Sequence, residues 1–99
     1  MLIDDEVVRR SLNGIKKEIG PKEGGVYFEI QDDFQFLLIN IDVDECEVEK
    51  KDFKRVASVL LGIVPGRRGE YSWMVNFKKN GVIVDSYFGG NEDFPDAGV

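Results

Sequence analysis

The stretch YSWMVNFKKNGVIVDSYF, Tyr71 to Phe88, constrains this chain more than any other. Asn80-Gly81 favours the positive backbone angles of a type I′ turn, whose twist matches that of the strands it joins. A two-residue loop also sets a register. It predicts Lys79 opposite Val82, Phe77 opposite Val84, Val75 opposite Ser86 and Trp73 opposite Phe88. One face of the hairpin is then core. The other carries Ser72, Met74, Asn76, Lys78, Ile83, Asp85 and Tyr87, with Asn76 across from Asp85 and Met74 across from Tyr87.

The segments before the hairpin supply the rest of a layer fold. From Asp4 to Ile19, Val8, Leu12, Ile15 and Ile19 fall at helical spacing. Asp4, Asp5 and Glu6 at the start, Lys16 and Lys17 near the end, and Gly20-Pro21 beyond complement a helix dipole and a stop. Gly14 costs this helix about 1 kcal/mol relative to alanine, so it depends on packing. VYFEIQ alternates Val26, Phe28 and Ile30 against Tyr27, Glu29 and Gln31, the signature of a strand with one wet face. After a turn at Asp32-Asp33, FQFLLINI is apolar on both faces and predicts a central strand covered by helix on at least one side. From about Glu49, Phe53, Val56, Ala57, Leu60 and Leu61 form an amphipathic stripe that Gly62 can cap. The order is αββαββ, an α+β fold with two helices packed on a four-stranded antiparallel sheet.

At 99 residues the chain is expected to form a single domain, with 89–99 as an irregular acidic tail. The net charge of −6 repels phosphate backbones and anionic lipid, which argues against direct nucleic-acid or membrane binding and for a basic protein partner. One cysteine, Cys46, and an acidic start without a long apolar run predict a cytoplasmic protein. No histidine is present, so the commonest general base and metal ligand are missing. Cys46 has no evident base and acidic neighbours that raise a thiol pKa, so it is read as structural. No enzymatic activity and no cofactor are expected.

DVDECEVE, Asp42 to Glu49, packs Asp42, Asp44, Glu45, Glu47 and Glu49 into one short stretch. A helix-loop-helix calcium loop needs glycine at its sixth position and glutamate at its twelfth. Counting from Asp42, those positions hold Glu47 and Phe53, so the metal reading fails. Asp44 or Glu47 can cap the following helix, which leaves a surplus of carboxylates. That surplus is either ordinary solvated surface or, with Asp85, Glu92, Asp93 and Asp96, a negative surface that grips a basic partner. Tyr87 and Phe94 are the aromatic anchors beside it, since the predicted register places Phe88 in the core. PGRRG lacks the spacing of a phosphate loop and precedes a strand, so Arg67 and Arg68 are read as a solvated turn or a second contact point.

An acidic one-domain α+β chain carrying DVDECEVE and VDSYFGGNEDFPD, in helix-hairpin-helix-hairpin order, resembles the bacterial immunity proteins. Those of contact-dependent growth inhibition and other polymorphic toxin systems belong to this group. The resemblance implies an inhibitor that neutralises a cognate toxin, often a basic nuclease, by occluding its cleft with acids that stand in for phosphates. It carries over no particular site residue. A monomer or weak dimer is expected when free. The alternative is a small acidic secretion-type chaperone or adaptor that holds an effector segment along its sheet.

Overall fold

The structure, a computed structural model, describes residues 2–19, 25–46 and 48–91. The first helix, α1 (Asp5–Ile19), carries its acids in the first turn and Lys16 and Lys17 in the last. Asp4 caps it: the Val7 amide donates to Asp4 Oδ1 at 3.0 Å. Its buried residues are Val7, Ser11 and Ile15, with Val8, Leu12 and Ile19 half-buried at the flank. The stripe is therefore rotated from the predicted one, and a serine occupies its centre. Gly20-Pro21 lies outside the described residues.

Strands β1 (Val26–Gln31) and β2 (Phe36–Asp42) form an antiparallel pair with Phe28 opposite Ile39. Leu37, Ile39 and Ile41 of β2 are wholly buried, while Phe36, Leu38 and Asn40 on the other face are half-exposed. A one-turn helix, α2 (Val43–Cys46), follows, and then α3 (Lys50–Leu61). Glu49 starts α3 with a reciprocal capping box: its carboxylate accepts from the Asp52 amide and its own amide donates to Asp52 Oδ2 at 3.3 Å. Phe53, Val56, Ala57 and Leu60 of α3 are buried. Leu61, expected in the stripe, is 59% exposed. Strands β3 (Trp73–Lys79) and β4 (Val82–Gly89) complete the regular structure of the described residues.

The sheet has the order β1-β2-β3-β4 and is mixed, which corrects the all-antiparallel expectation. Both hairpins are antiparallel, but β2 and β3 run parallel. The reason lies in the connection between them. The twelve residues of α3 rise about 18 Å, close to the roughly 23 Å of the seven-residue β2. One helix thus returns the chain to the level where β2 began, and the next strand must run the same way.

The second hairpin keeps its turn but not its register. Asn80 and Gly81 have φ of 53° and 78°, and Lys79 pairs with Val82 as predicted. Between Phe77 and Lys78 a β-bulge then leaves Val84 as an extra residue on β4, so Phe77 pairs with Asp85, Val75 with Tyr87, Met74 with Phe88 and Trp73 with Gly89. Every side chain beyond the bulge changes face. Close packing explains the choice: a Cβ on Gly89 would lie 2.7 Å from Trp73 Cζ2, so the residue beside the indole has to lack a side chain. Phe88 could not occupy that place. Residues 89–91, assigned from the sequence to a tail, belong to the fold: the Ser72 amide donates to Gly89 O at 2.9 Å, and Asn91 is buried.

The helices α1 and α3 lie on one face of the sheet. Between them and the sheet Trp73, Phe77, Ile3, Ile15, Leu60 and the buried residues of β2 form one core. Phe53 of α3 stacks on Phe77 of β3 at 4.0 Å. Gly14 explains how closely the helices approach, because a Cβ there would lie 2.5 Å from Val59 Cγ1. Gly14→Ala gains about 1 kcal/mol of helix propensity, but forcing a methyl into this contact costs about 1–3 kcal/mol. The net effect is expected to be destabilising, with a thermal midpoint lowered by several degrees. In a Val59→Ala background, which removes the nearer contact and leaves the Ile63 Cδ1 methyl 3.0 Å from the new Cβ, the same substitution should cost less than in the original chain. Thermal unfolding of the four proteins of this cycle checks the sign.

Candidate partner-binding surface

Among the described residues the helices lie on one face of the sheet and no element covers the other. On the open face the strand register aligns three rows across the strands. Tyr27, Asn40, Asn76 and Ser86 form the first, Glu29, Leu38, Met74 and Phe88 the second, and Asp42, Lys78 and Ile83 lie beyond. The middle of this face is held by a side-chain ladder. Ser86 Oγ donates to Asn76 Oδ1 at 2.6 Å, and Asn76 Nδ2 donates to Asn40 Oδ1 at 3.1 Å. Asn76 is only 7% exposed although none of the described elements lies over it, because its neighbours' side chains close around it. Its buried amide is thereby hydrogen-bonded, as a polar group with little water must be.

Around the ladder stand apolar groups. Tyr27 is 57% and Phe88 41% exposed, with Leu38 and Met74 half-buried between them. Phe88 rests edge-on against Tyr71 at a centroid separation of 4.6 Å. Tyr27, Asn40, Asp42, Lys78 and Gly81 line a shallow hollow at the end of the face nearest α2. An aromatic rim around fixed amide and hydroxyl groups suits a protein surface that binds by shape and hydrogen bonding.

The acidic stretch sits at that same end, and the fold uses several of its members. Asp42 Oδ1 accepts the Asp44 amide at 3.1 Å and so caps α2. Asp44 Oδ2 accepts the Asn80 amide at 3.2 Å, tying α2 to the turn between β3 and β4. Glu49 serves the capping box and also pairs with Lys51 at 3.2 Å. Glu45 is exposed, and Lys78 faces Asp42 across the parallel pair. The stretch is therefore flanked by lysines, Lys51 after it and Lys78 on the neighbouring strand. Glu47 lies outside the described residues, as do Glu92, Asp93, Phe94 and Asp96. Among the described residues no group of three or more His, Cys, Asp or Glu side chains could hold a metal ion.

The bulge separates Asp85 and Tyr87 from this surface. Both were expected on the wet face; instead they occupy the helix side of the edge strand, half-buried, and Tyr87 meets Phe77 edge-on at 6.1 Å. Phe88, expected in the core, is instead the aromatic that β4 exposes on the open face. Burial pushes the Tyr87 phenol above its ordinary pKa of 10.0, and the Asp85 carboxylate, to which the hydroxyl donates, adds to the shift. Cys46 is buried in the core, consistent with a structural thiol. Arg67 is held by Asp32 at 2.5 Å and by Glu70, so it is no free contact point.

Sequence reading already placed Tyr27 and Glu29 on a wet face and Leu38 on the second apolar face of β2. It missed Phe88, and Gly89-Gly90 was the available signal that this strand would not alternate simply to its end. No protein-family profile, curated protein or solved structure matches the chain.

The environment of Tyr87 generates a titration prediction. A phenol raised in the folded state holds its proton more tightly there than in the unfolded chain. Its stabilising contribution is full below the unfolded value of 10.0 and is lost as pH rises through the folded value. Difference absorbance near 295 nm between the protein and its Tyr87→Phe variant should titrate above 10.0. Asp85→Asn should lower that midpoint without returning it fully, since burial remains.

Proposed function

We propose that this chain is a protein-binding inhibitor of the immunity type, which neutralises a cognate basic toxin of the nuclease class by covering its cleft. The uncovered sheet face is the contact surface, and the observation that carries the reading is its aromatic rim, Tyr27 and Phe88, around the Asn40–Asn76–Ser86 ladder. The exposed carboxylates Asp44 and Glu45 stand at one end of this face, and an overall charge of −6 favours approach of a basic partner. Their part is steering more than grip, because lysines flank them. The inhibitor acts in the cytoplasm, without cofactor or turnover of its own. Among the described residues no helix is long and apolar enough to cross a membrane.

A secretion-type chaperone is the second reading, favoured by the edge strand β4. Val82, Ile83 and Val84 there are 63%, 51% and 52% exposed, and an extended effector segment could add to such an edge.

Capture of partners from the native organism at low salt, with mass spectrometry of the eluate, separates these readings. A basic protein encoded beside this gene, whose toxicity the chain suppresses, is the expected result; an acidic or apolar effector would favour the chaperone. With the partner in hand, Phe88→Ser should weaken binding about tenfold or more through faster dissociation. Asp44→Asn with Glu45→Gln should slow association and flatten its salt dependence. Stopped-flow association and dissociation rates at two ionic strengths check both. Unchanged rates in the Phe88 variant would remove the open face from the interface.

A further inference from the structure

At the opposite end of the sheet from α2, the link between β1 and β2 contains an unusual backbone. Asp32, Asp33 and Phe34 follow one another at φ of 54°, 54° and 66°. Three consecutive non-glycine residues in the left-handed region are costly, most of all for a bulky side chain such as phenylalanine. The surroundings hold them there. The Gln35 amide donates to Gln31 O at 3.2 Å and Asp32 O at 3.1 Å, the Ile3 amide donates to Phe34 O at 2.7 Å, and Arg67 grips Asp32 at 2.5 Å.

This costly conformation does not bury Phe34, which is 58% exposed. Leu2, also 58% exposed, stands near it, and between them lies an open cleft lined by Leu2, Ile3, Asp4, Asp5, Ile30 and Phe34. Its volume is about 330 Å³, the low end for ligand pockets and suited to one or two side chains. Ile3 and Ile30 supply an apolar lining. Asp4 and Asp5 add carboxylates, and Asp33 neighbours Phe34 in the turn; no lysine or arginine lines the cleft. Asp4 uses Oδ1 to cap α1. Among the described residues Asp5 and Asp33 have no ion pair.

We propose that this cleft docks a cationic segment of a partner protein, seating one large apolar side chain between Leu2 and Phe34 while flanking lysines or arginines meet Asp5 and Asp33. An apolar seat with a carboxylate rim suits that chemistry and repels an anionic lipid surface or an acidic peptide. The inference rests on the binding reading above only for the sign of the partner's charge; it assigns a contact away from the open sheet face.

The probe is an acetylated, amidated heptapeptide, Lys-Lys-Arg-Leu-Arg-Lys-Lys, titrated into the ¹⁵N-labelled full chain. Saturable amide shifts are expected at Leu2, Ile3, Ile30, Asp33 and Phe34. Replacing the peptide's leucine by serine, or its basic residues by glutamate, should weaken binding about tenfold or more. Phe34→Asn should do the same while leaving the thermal midpoint within a few degrees of the original, because asparagine accepts this conformation more readily. Leu2→Ser, at a site remote from the strained turn, should weaken binding in parallel. Equal binding of the serine peptide, or shifts confined to 42–49 and 80–84, would overturn the cleft while leaving a basic partner at the other end untouched. A large fall in midpoint for Phe34→Asn would assign the ring to packing and overturn the proposal as well.

Discussion

Burial of Leu37, Ile39 and Ile41 beneath the helical layer is the interaction on which the other elements of this fold depend. These side chains belong to β2, which pairs with β1 on one side and β3 on the other, so a strand with three wholly buried side chains also joins the two hairpins. Burying a side chain of this kind is worth roughly 1.5–3 kcal/mol. That gain is available only if a helix lies over β2 and β3, which is what α3 does on its way back. Parallel pairing of β2 with β3 follows from that return, and the stacking of Phe53 on Phe77 ties the crossover to the sheet.

Two long helices lie on one face of four strands, and among the described residues the other face is completed by side chains. Asn40, Asn76 and Ser86 satisfy one another there, while Tyr27, Leu38, Met74 and Phe88 keep apolar surface in partial contact with water. Association with another molecule would remove that surface from water, which is the physical ground for the proposed contact surface. The acidic stretch has a different relation to the fold. Asp42, Asp44 and Glu49 anchor α2, the second hairpin's turn and the start of α3, so a local charge run also performs helix-end and turn chemistry.

Local signals carried further in the helices than in the last hairpin. The acids and lysines at the two ends of α1, the apolar spacing of α3 and the Asn80-Gly81 turn act within a few residues, and their elements formed where those signals lie. The stripe of α1 was misplaced because Ser11 holds a buried position that hydropathy assigns to solvent. In the candidate site, Tyr27 and Leu38 were legible from alternation along β1 and β2. Phe88 was not, because its face is set by contact between Gly89 and an indole sixteen positions earlier in the chain.

The sequence by itself determined the α+β class, the order of the main elements, the turn that starts the second hairpin and the net negative charge. Periodicity, turn chemistry and net charge are local or summed properties, so they can be read without coordinates. Tertiary structure alone decided the parallel pairing of β2 and β3, the bulge at Val84, the exchange of Tyr87 for Phe88 on the open face and the cleft between Leu2 and Phe34. Each of these depends on which distant side chains compete for one volume, and a linear pattern does not contain that competition.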